Sequence, residues 1–161
     1  PSAAVDAQGR VFVMFRNSLE GNRDMYVVQS DDGGRTFGRA AKLGSGTWKL
    51  NACPMDGGAL QIDSTGRAVS VWRREGEVFL STGSGHEQRL GPGRQPILAA
   101  TPRGPVLAWT EGKALKVIRP GQASAAILDG DAAFPSMVAL PNGSVALAWE
   151  QKGAIVVRSL D

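Results

Sequence analysis

A proline, a glycine and an aromatic residue recur in a fixed order four times along the 161-residue chain. In three copies the glycine follows the proline by eight positions, and the second copy carries four extra residues. The three tryptophans of the pattern lie 37 and 40 residues apart, which predicts a series of similar folded units. The copies are Pro1, Gly9 and Phe15; Pro54, Gly66 and Trp72; Pro96, Gly104 and Trp109; and Pro135, Gly143 and Trp149.

Each of these glycines lies in a tight turn between two stretches that have the composition of β-strands. A third short strand-like run follows in every unit, and the first three units add an outer segment. No long stretch repeats its apolar residues with a helical period, so helices are not expected. Units of four strands with a period of about 40 residues are typical of β-propeller blades. We predict blades at approximately 1–50, 51–93, 94–131 and 132–161, the last without its outer strand.

The eight residues from Ser30 to Phe37 form a second informative motif, Ser-x-Asp-x-Gly-x-Thr-Phe. The carboxylate of Asp32 can accept hydrogen bonds from backbone N–H groups of its own turn, and Gly34 can adopt a positive φ. Thr36 is expected to begin the return strand, and Phe37 to form an apolar plug beneath the turn. The motif therefore predicts a tight, internally bonded hairpin.

This motif resembles the Asp-box, or BNR repeat, of sialidase-like β-propellers. The resemblance implies an all-β fold, here a propeller segment of about four blades that belongs to a ring of six or seven. A missing N-terminal segment is expected to complete the ring, and a homodimer is the alternative. In that family the Asp-box lies at the blade periphery, so the motif predicts the fold and leaves the activity open.

Composition excludes several functional classes. The net charge is +3, and the basic residues are scattered without interleaved aromatics, so nucleic-acid binding is not expected. One cysteine, Cys53, and one histidine, His86, form neither an intrachain disulfide nor a His/Cys metal site, and no cofactor is expected. No apolar stretch is long enough to span a membrane. A leader could have been lost ahead of Pro1, and we expect a secreted or periplasmic location.

The tryptophans of the repeat are predicted to pack in the core between neighbouring blades. Trp48 falls outside the repeat and is instead the candidate for an exposed aromatic.

The family resemblance implies a ligand site over the central channel, at the segments that precede each innermost strand. These segments are 51–56, 93–96 and 132–135, and the pair Gly57–Gly58 allows either a close backbone approach to a ligand or a bulge. Arg94 is the leading candidate because a guanidinium forms paired, charge-assisted hydrogen bonds with a carboxylate. The predicted ligand-binding residues are Arg94, Gln95, Asn51, Asp56 and Arg73.

Catalysis is harder to support than binding. Retaining sialidases are understood to use a tyrosine nucleophile assisted by a glutamate, with an aspartate as acid/base. Tyr26 is the only tyrosine, and its place beside the Asp-box predicts a strand or core role. We therefore expect a ligand-binding propeller module that is non-catalytic or not independently catalytic and that recognises carbohydrate or protein at the central channel. The alternative is an exo-sialidase-type glycoside hydrolase whose other catalytic residues lie in a missing N-terminal half.

Overall fold

The computed structural model describes residues 1–83 and 86–161, and these residues form strands, turns and bends without a helix. No helix of the described part could therefore cross a membrane. The first six strands are β1 (Ser2–Val5), β2 (Val11–Arg16), β3 (Met25–Ser30), β4 (Ala41–Lys42), β5 (Gly58–Ile62) and β6 (Ala68–Arg74). They are followed by β7 (Glu77–Thr82), β8 (Gln88–Pro92), β9 (Arg94–Thr101), β10 (Gly104–Glu111) and β11 (Ala114–Ile118). The last four are β12 (Ala126–Asp129), β13 (Ala133–Ala139), β14 (Val145–Gln151) and β15 (Ala154–Leu160).

The strands form four antiparallel sheets in simple chain order. The sheets are β1–β4, β5–β8, β9–β12 and β13–β15, and each is built from hairpins between consecutive strands. The first strands of neighbouring sheets contact one another, so β1, β5, β9 and β13 are the innermost strands. The predicted all-β series of four sheets, the last with three strands, is confirmed.

The hydrophobic core consists of three layers, one between each pair of neighbouring sheets. Trp72, Trp109 and Trp149 each lie in one layer with 2% or less of their surface exposed, so the prediction that they form the core is confirmed. Phe15 has the same place in the first copy of the repeat. Its ring stacks on Tyr26 at a centroid distance of 6.2 Å and stays partly exposed.

The prediction that Trp48 is an exposed aromatic is wrong, because only 7% of its surface is accessible. The guanidinium groups of Arg16 and Arg73 lie 5.3 and 5.4 Å from its ring centroid. Its backbone N–H donates to the buried carboxylate of Asp24 over 2.8 Å. The connection between β4 and β5 thus folds back onto the sheets and buries the ring.

Asp32 holds together the loop that follows β3. One carboxylate oxygen accepts hydrogen bonds from the N–H groups of Arg35 and Thr36, both at 2.9 Å, and from the Ser30 hydroxyl at 2.7 Å. The other accepts the Thr36 hydroxyl at 2.6 Å. Gly34 has a φ of 90°, a conformation that favours glycine.

Two details of this loop differ from the expectation. Thr36 does not begin the return strand, which starts only at Ala41. Phe37 is 45% exposed and is no buried plug. The polar groups of Asp32, Ser30 and Thr36 close the loop from inside, so the Phe37 ring is left at the surface.

The Asp32 loop predicts a pH-dependent contribution to stability. Hydrogen bonds from the hydroxyl and the N–H of Thr36, and from the hydroxyl of Ser30, lower the pKa of Asp32 from 3.8 to about 2. Because the folded-state pKa is depressed, the stabilisation is present above pH 3.8 and is lost as the pH falls through about 2. We expect Asp32→Asn to unfold at lower urea concentration than wild type at neutral pH. That difference should shrink steadily as the pH falls between these two values.

The matched control for this prediction is Asp31→Asn. Asp31 is the exposed neighbour, and among the described residues its carboxylate accepts a side-chain hydrogen bond from Gln29 alone. The Asp31→Asn variant should unfold at a urea concentration closer to that of wild type at neutral pH. An Asp32→Asn deficit that is unchanged at pH 2 would mean that hydrogen bonding to the ionised carboxylate is not its cause.

Candidate functional site

An open cavity of about 710 Å³ lies where the innermost strands of the last three sheets begin. Its walls come from the segment that leads into β5, the end of β6, and the first residues of β9 and β13. It brings together four of the five predicted ligand-binding residues, and Asn51 does not line it. The lining residues are Cys53, Pro54, Met55, Asp56, Gly57, Gly58, Arg73, Arg94, Gln95, Pro96, Ile97 and Phe134.

Asp56 is the central polar group of the cavity wall. One of its carboxylate oxygens pairs with the Arg73 guanidinium at 2.9 Å, and both side chains are largely shielded from solvent. The other oxygen accepts the backbone N–H of Gln95 over 3.3 Å. The carboxylate of Asp56 thus joins the second sheet to the third, and its charge is balanced by Arg73.

Two similar β-bulges shape the opposite wall. Arg94 pairs with Thr110 and Ile97 with Ala108, so Gln95 and Pro96 together face one residue of β10. The same irregularity occurs in β13, where Phe134 lies between the paired residues Ala133 and Ser136. Gln95 and Phe134 have φ values of 54° and 50°, which are uncommon for residues other than glycine.

The bulges connect the third and fourth sheets at the cavity. The side-chain oxygen of Gln95 accepts the backbone N–H of Phe134 over 3.3 Å. At the rim, Phe134 is 68% exposed, and Met55 on the facing segment is 92% exposed. The cavity therefore combines polar groups on its walls with an apolar rim.

Arg94 differs from the other arginines near the cavity. It is exposed at the first position of β9, and its guanidinium makes no hydrogen bond or ion pair within the described residues. Arg73 is paired with Asp56, and Arg74 forms two hydrogen bonds with Glu87, at 2.6 and 2.8 Å. Arg94 is accordingly the arginine at the cavity with a charge available to a ligand.

Arg16 is a residue of this region that the sequence analysis missed. Its guanidinium donates to the carbonyl oxygens of Arg23 and Arg73 at 2.6 and 2.9 Å while it stacks on Trp48. Burial lowers the pKa of Arg16, but an arginine remains protonated at neutral pH. The repeat contains a signal for it, because Arg16 follows Phe15 as Arg73 follows Trp72.

The remaining candidate groups lie elsewhere. Asn51 is exposed and precedes the point, at Cys53, where the chain reaches the cavity. Tyr26 stacks on Phe15 in the first sheet and does not line the cavity. In the described ranges, no group of three or more His, Cys, Asp or Glu side chains could hold a metal ion.

Comparisons with known proteins identify the architecture. No family model matches the chain, and no curated protein matches it. Among solved structures, a Hadza microbial sialidase superposes with a TM-score of 0.60 and 12% identity, covering 99% of this chain and 42% of the sialidase. A GH43 protein from Bacillus licheniformis gives a TM-score of 0.47 at 10% identity, covering 96% of this chain and 39% of that one. An endo-arabinase from Bacteroides thetaiotaomicron gives 0.48 at 15%, covering 97% and 72%.

The likeness to the sialidase, together with the four successive antiparallel sheets, shows that the chain has a sialidase-like β-propeller fold. The chain spans less than half of the length of that sialidase.

Proposed function

We propose that the chain is a ligand-binding β-propeller module that recognises a carbohydrate at the cavity formed by the starts of β5, β9 and β13. In this proposal the chain is not independently catalytic. The observation that carries it is Arg94, an exposed arginine at the cavity wall with no partner among the described residues. A guanidinium in this setting suits an anionic group such as the carboxylate of a sugar acid.

The rest of the cavity supports the same kind of ligand. Most binding sites combine apolar lining with a few polar groups that orient the ligand. Phe134 and Met55 offer exposed apolar surface at the rim, where the nonpolar face of a sugar ring can pack. The amide of Gln95 and the carboxylate of Asp56 are polar groups within the same cavity.

The second candidate function is glycoside hydrolysis of the exo-sialidase type, with further catalytic residues supplied by a segment outside this chain. Its support is the fold, since the superposed structure is named as a sialidase. Retaining hydrolysis requires two catalytic groups that flank the scissile bond. Within the described residues, the cavity has one carboxylate, that of Asp56, and no tyrosine. This composition favours binding over catalysis by the chain alone.

Hydrolysis of a fluorogenic sialoside distinguishes the two functions. The binding proposal expects no turnover above the buffer rate by this chain. Turnover that Asp56→Asn abolishes would overturn the non-catalytic part of the proposal and favour the hydrolase.

Replacement of Arg94 tests the binding site directly. We expect Arg94→Ala to weaken binding to the glycans that wild type recognises on an array by roughly tenfold or more, because a charge-assisted hydrogen bond is lost. The matched control is Arg103→Ala. Arg103 is an exposed arginine in the turn between β9 and β10, at the other end of β9 from Arg94. Equal binding by wild type and Arg94→Ala, or an equal loss in both variants, would overturn the site. If wild type binds none of the glycans on the array, a protein ligand is favoured instead.

A further inference from the structure

The first sheet leaves one of its two faces uncovered. Phe12 and Met14 point to one side of β2 and pack against the second sheet. Val5 and Phe15 lie on the opposite face, which no other described sheet covers. Val5 is 62% exposed as a result.

The fourth sheet also has a covered and an uncovered face. Leu147 and Trp149 pack against the third sheet. On the other face, Val138, Ile155 and Val157 are 58%, 71% and 64% exposed. An apolar β-sheet face of this kind is typical of a surface that another element covers.

The third sheet shows what covers such a face. Val157 pairs with Ala148 in the fourth sheet as Val117 pairs with Ala108 in the third. Beneath the fourth sheet, Ala108 and Val117 are 0% and 1% exposed. At this alanine–valine pair, the uncovered face of the fourth sheet therefore repeats the register and residue types of a face that a further sheet buries.

All three layers of the core are built in the same direction along the chain. The tryptophan of each later sheet faces the preceding sheet. In the first sheet Phe15 takes this place, since it pairs with Tyr26 as Trp72 pairs with Phe79. The two ring pairs also stack alike, with centroid distances of 6.2 and 6.1 Å. The first and fourth sheets thus present the two halves of one more layer.

We propose that these halves bind each other between two copies of the chain. The Phe15 face of one copy packs against the Val157 face of a second copy, in a head-to-tail contact. In each layer, a sheet face that carries an aromatic residue covers the preceding sheet. The first sheet presents such a face, with Phe15, so a second copy of the chain can cover the exposed face of the fourth sheet. Such a contact is heterologous, so it uses a different surface from each copy.

Three glutamate substitutions at positions of matched exposure test the contact. Val5→Glu alters the Phe15 face, Val157→Glu alters the Val157 face, and Ile127→Glu alters the outer strand β12; the three residues are 62%, 64% and 66% exposed. Sedimentation equilibrium over a range of concentrations measures the mass of each protein. Wild type and Ile127→Glu should exceed the mass of one chain, and Val5→Glu and Val157→Glu alone should not, because each contact needs both faces.

The mixture of the two face variants is the decisive sample. Each variant retains one intact face, so Val5→Glu and Val157→Glu together should form a species with the mass of two chains. A mixture that stays at one chain, a face variant that associates alone, or a wild type of single-chain mass at the highest soluble concentration would overturn the proposal. Circular dichroism checks folding, and Val5→Ser and Val157→Ser replace any glutamate variant that does not fold.

Discussion

Trp109→Ala is expected to lower the free energy of unfolding by about 3–5 kcal/mol, as for other large buried aromatics truncated to alanine. The Trp109 side chain is 1% exposed in the layer between the second and third sheets. Its indole N–H also donates to the Pro92 carbonyl oxygen over 3.0 Å, so the substitution leaves that oxygen without this donor. Since a domain is stable by only about 5–15 kcal/mol, the loss is a large fraction of the total. Urea denaturation of both proteins measures it.

Two controls separate the causes of this loss. Phe37→Ala removes a 45% exposed aromatic and should change the free energy of unfolding by much less. The pair Trp109→Phe and Trp149→Phe isolates the contribution of the indole hydrogen bond to stability. Trp109 makes this bond, whereas the indole N–H of Trp149 is buried without a partner among the described residues. Trp109→Phe should be the more destabilising of the two. A Trp109→Ala variant as stable as Phe37→Ala would contradict the layered core.

Gly58→Ala is expected to destabilise the fold by about 1–3 kcal/mol, the usual cost of forcing extra atoms into a packed site. A Cβ at this position would lie 2.4 Å from the carbonyl oxygen of Val71, and the φ of Gly58 is 145°. Because the obstructing atom belongs to the backbone of β6, the start of β5 must shift. The shift would displace the cavity wall, so ligand binding should weaken together with stability. Denaturation and glycan binding of the same preparation measure the two effects.

Gly57→Ala is the control for this substitution, because a Cβ at Gly57 would meet no atom within 4 Å. It should stay close to wild type in stability. Equal stability of the two variants would mean that β5 and β6 can separate without cost. The close approach at Gly58 in this structure is to Val71 of the neighbouring strand.

Much of the fold was predictable because its signals are local or periodic. Hairpins are read from turn residues between strand-like runs, and the burial of Trp72, Trp109 and Trp149 follows from their recurring position. The predictions for Trp48 and Phe37 were wrong for a common reason. Both residues lie in connections outside regular strands, where no repeat determines on which side the chain folds.

The candidate site was predictable only in part. The family resemblance pointed to the segments ahead of the innermost strands, and the cavity does bring Asp56, Arg73, Arg94 and Gln95 together. It could not indicate which arginines would be neutralised. The pairing of Arg73 with Asp56 depends on how the segment before β5 folds back along the end of β6.

The number, order and pairing of the strands follow from local sequence, because a hairpin needs only neighbouring residues and a suitable turn. The sequence also indicates that Trp72, Trp109 and Trp149 form the core, since the repeat gives these three residues equivalent places in successive sheets. The packing of the sheets determines that Arg16 and Arg73, 57 positions apart, enclose Trp48, and that no described residue pairs with the guanidinium of Arg94. Arginine side chains are long and can reach several partners, so their pairing is fixed by the packing of whole sheets and not by local pattern.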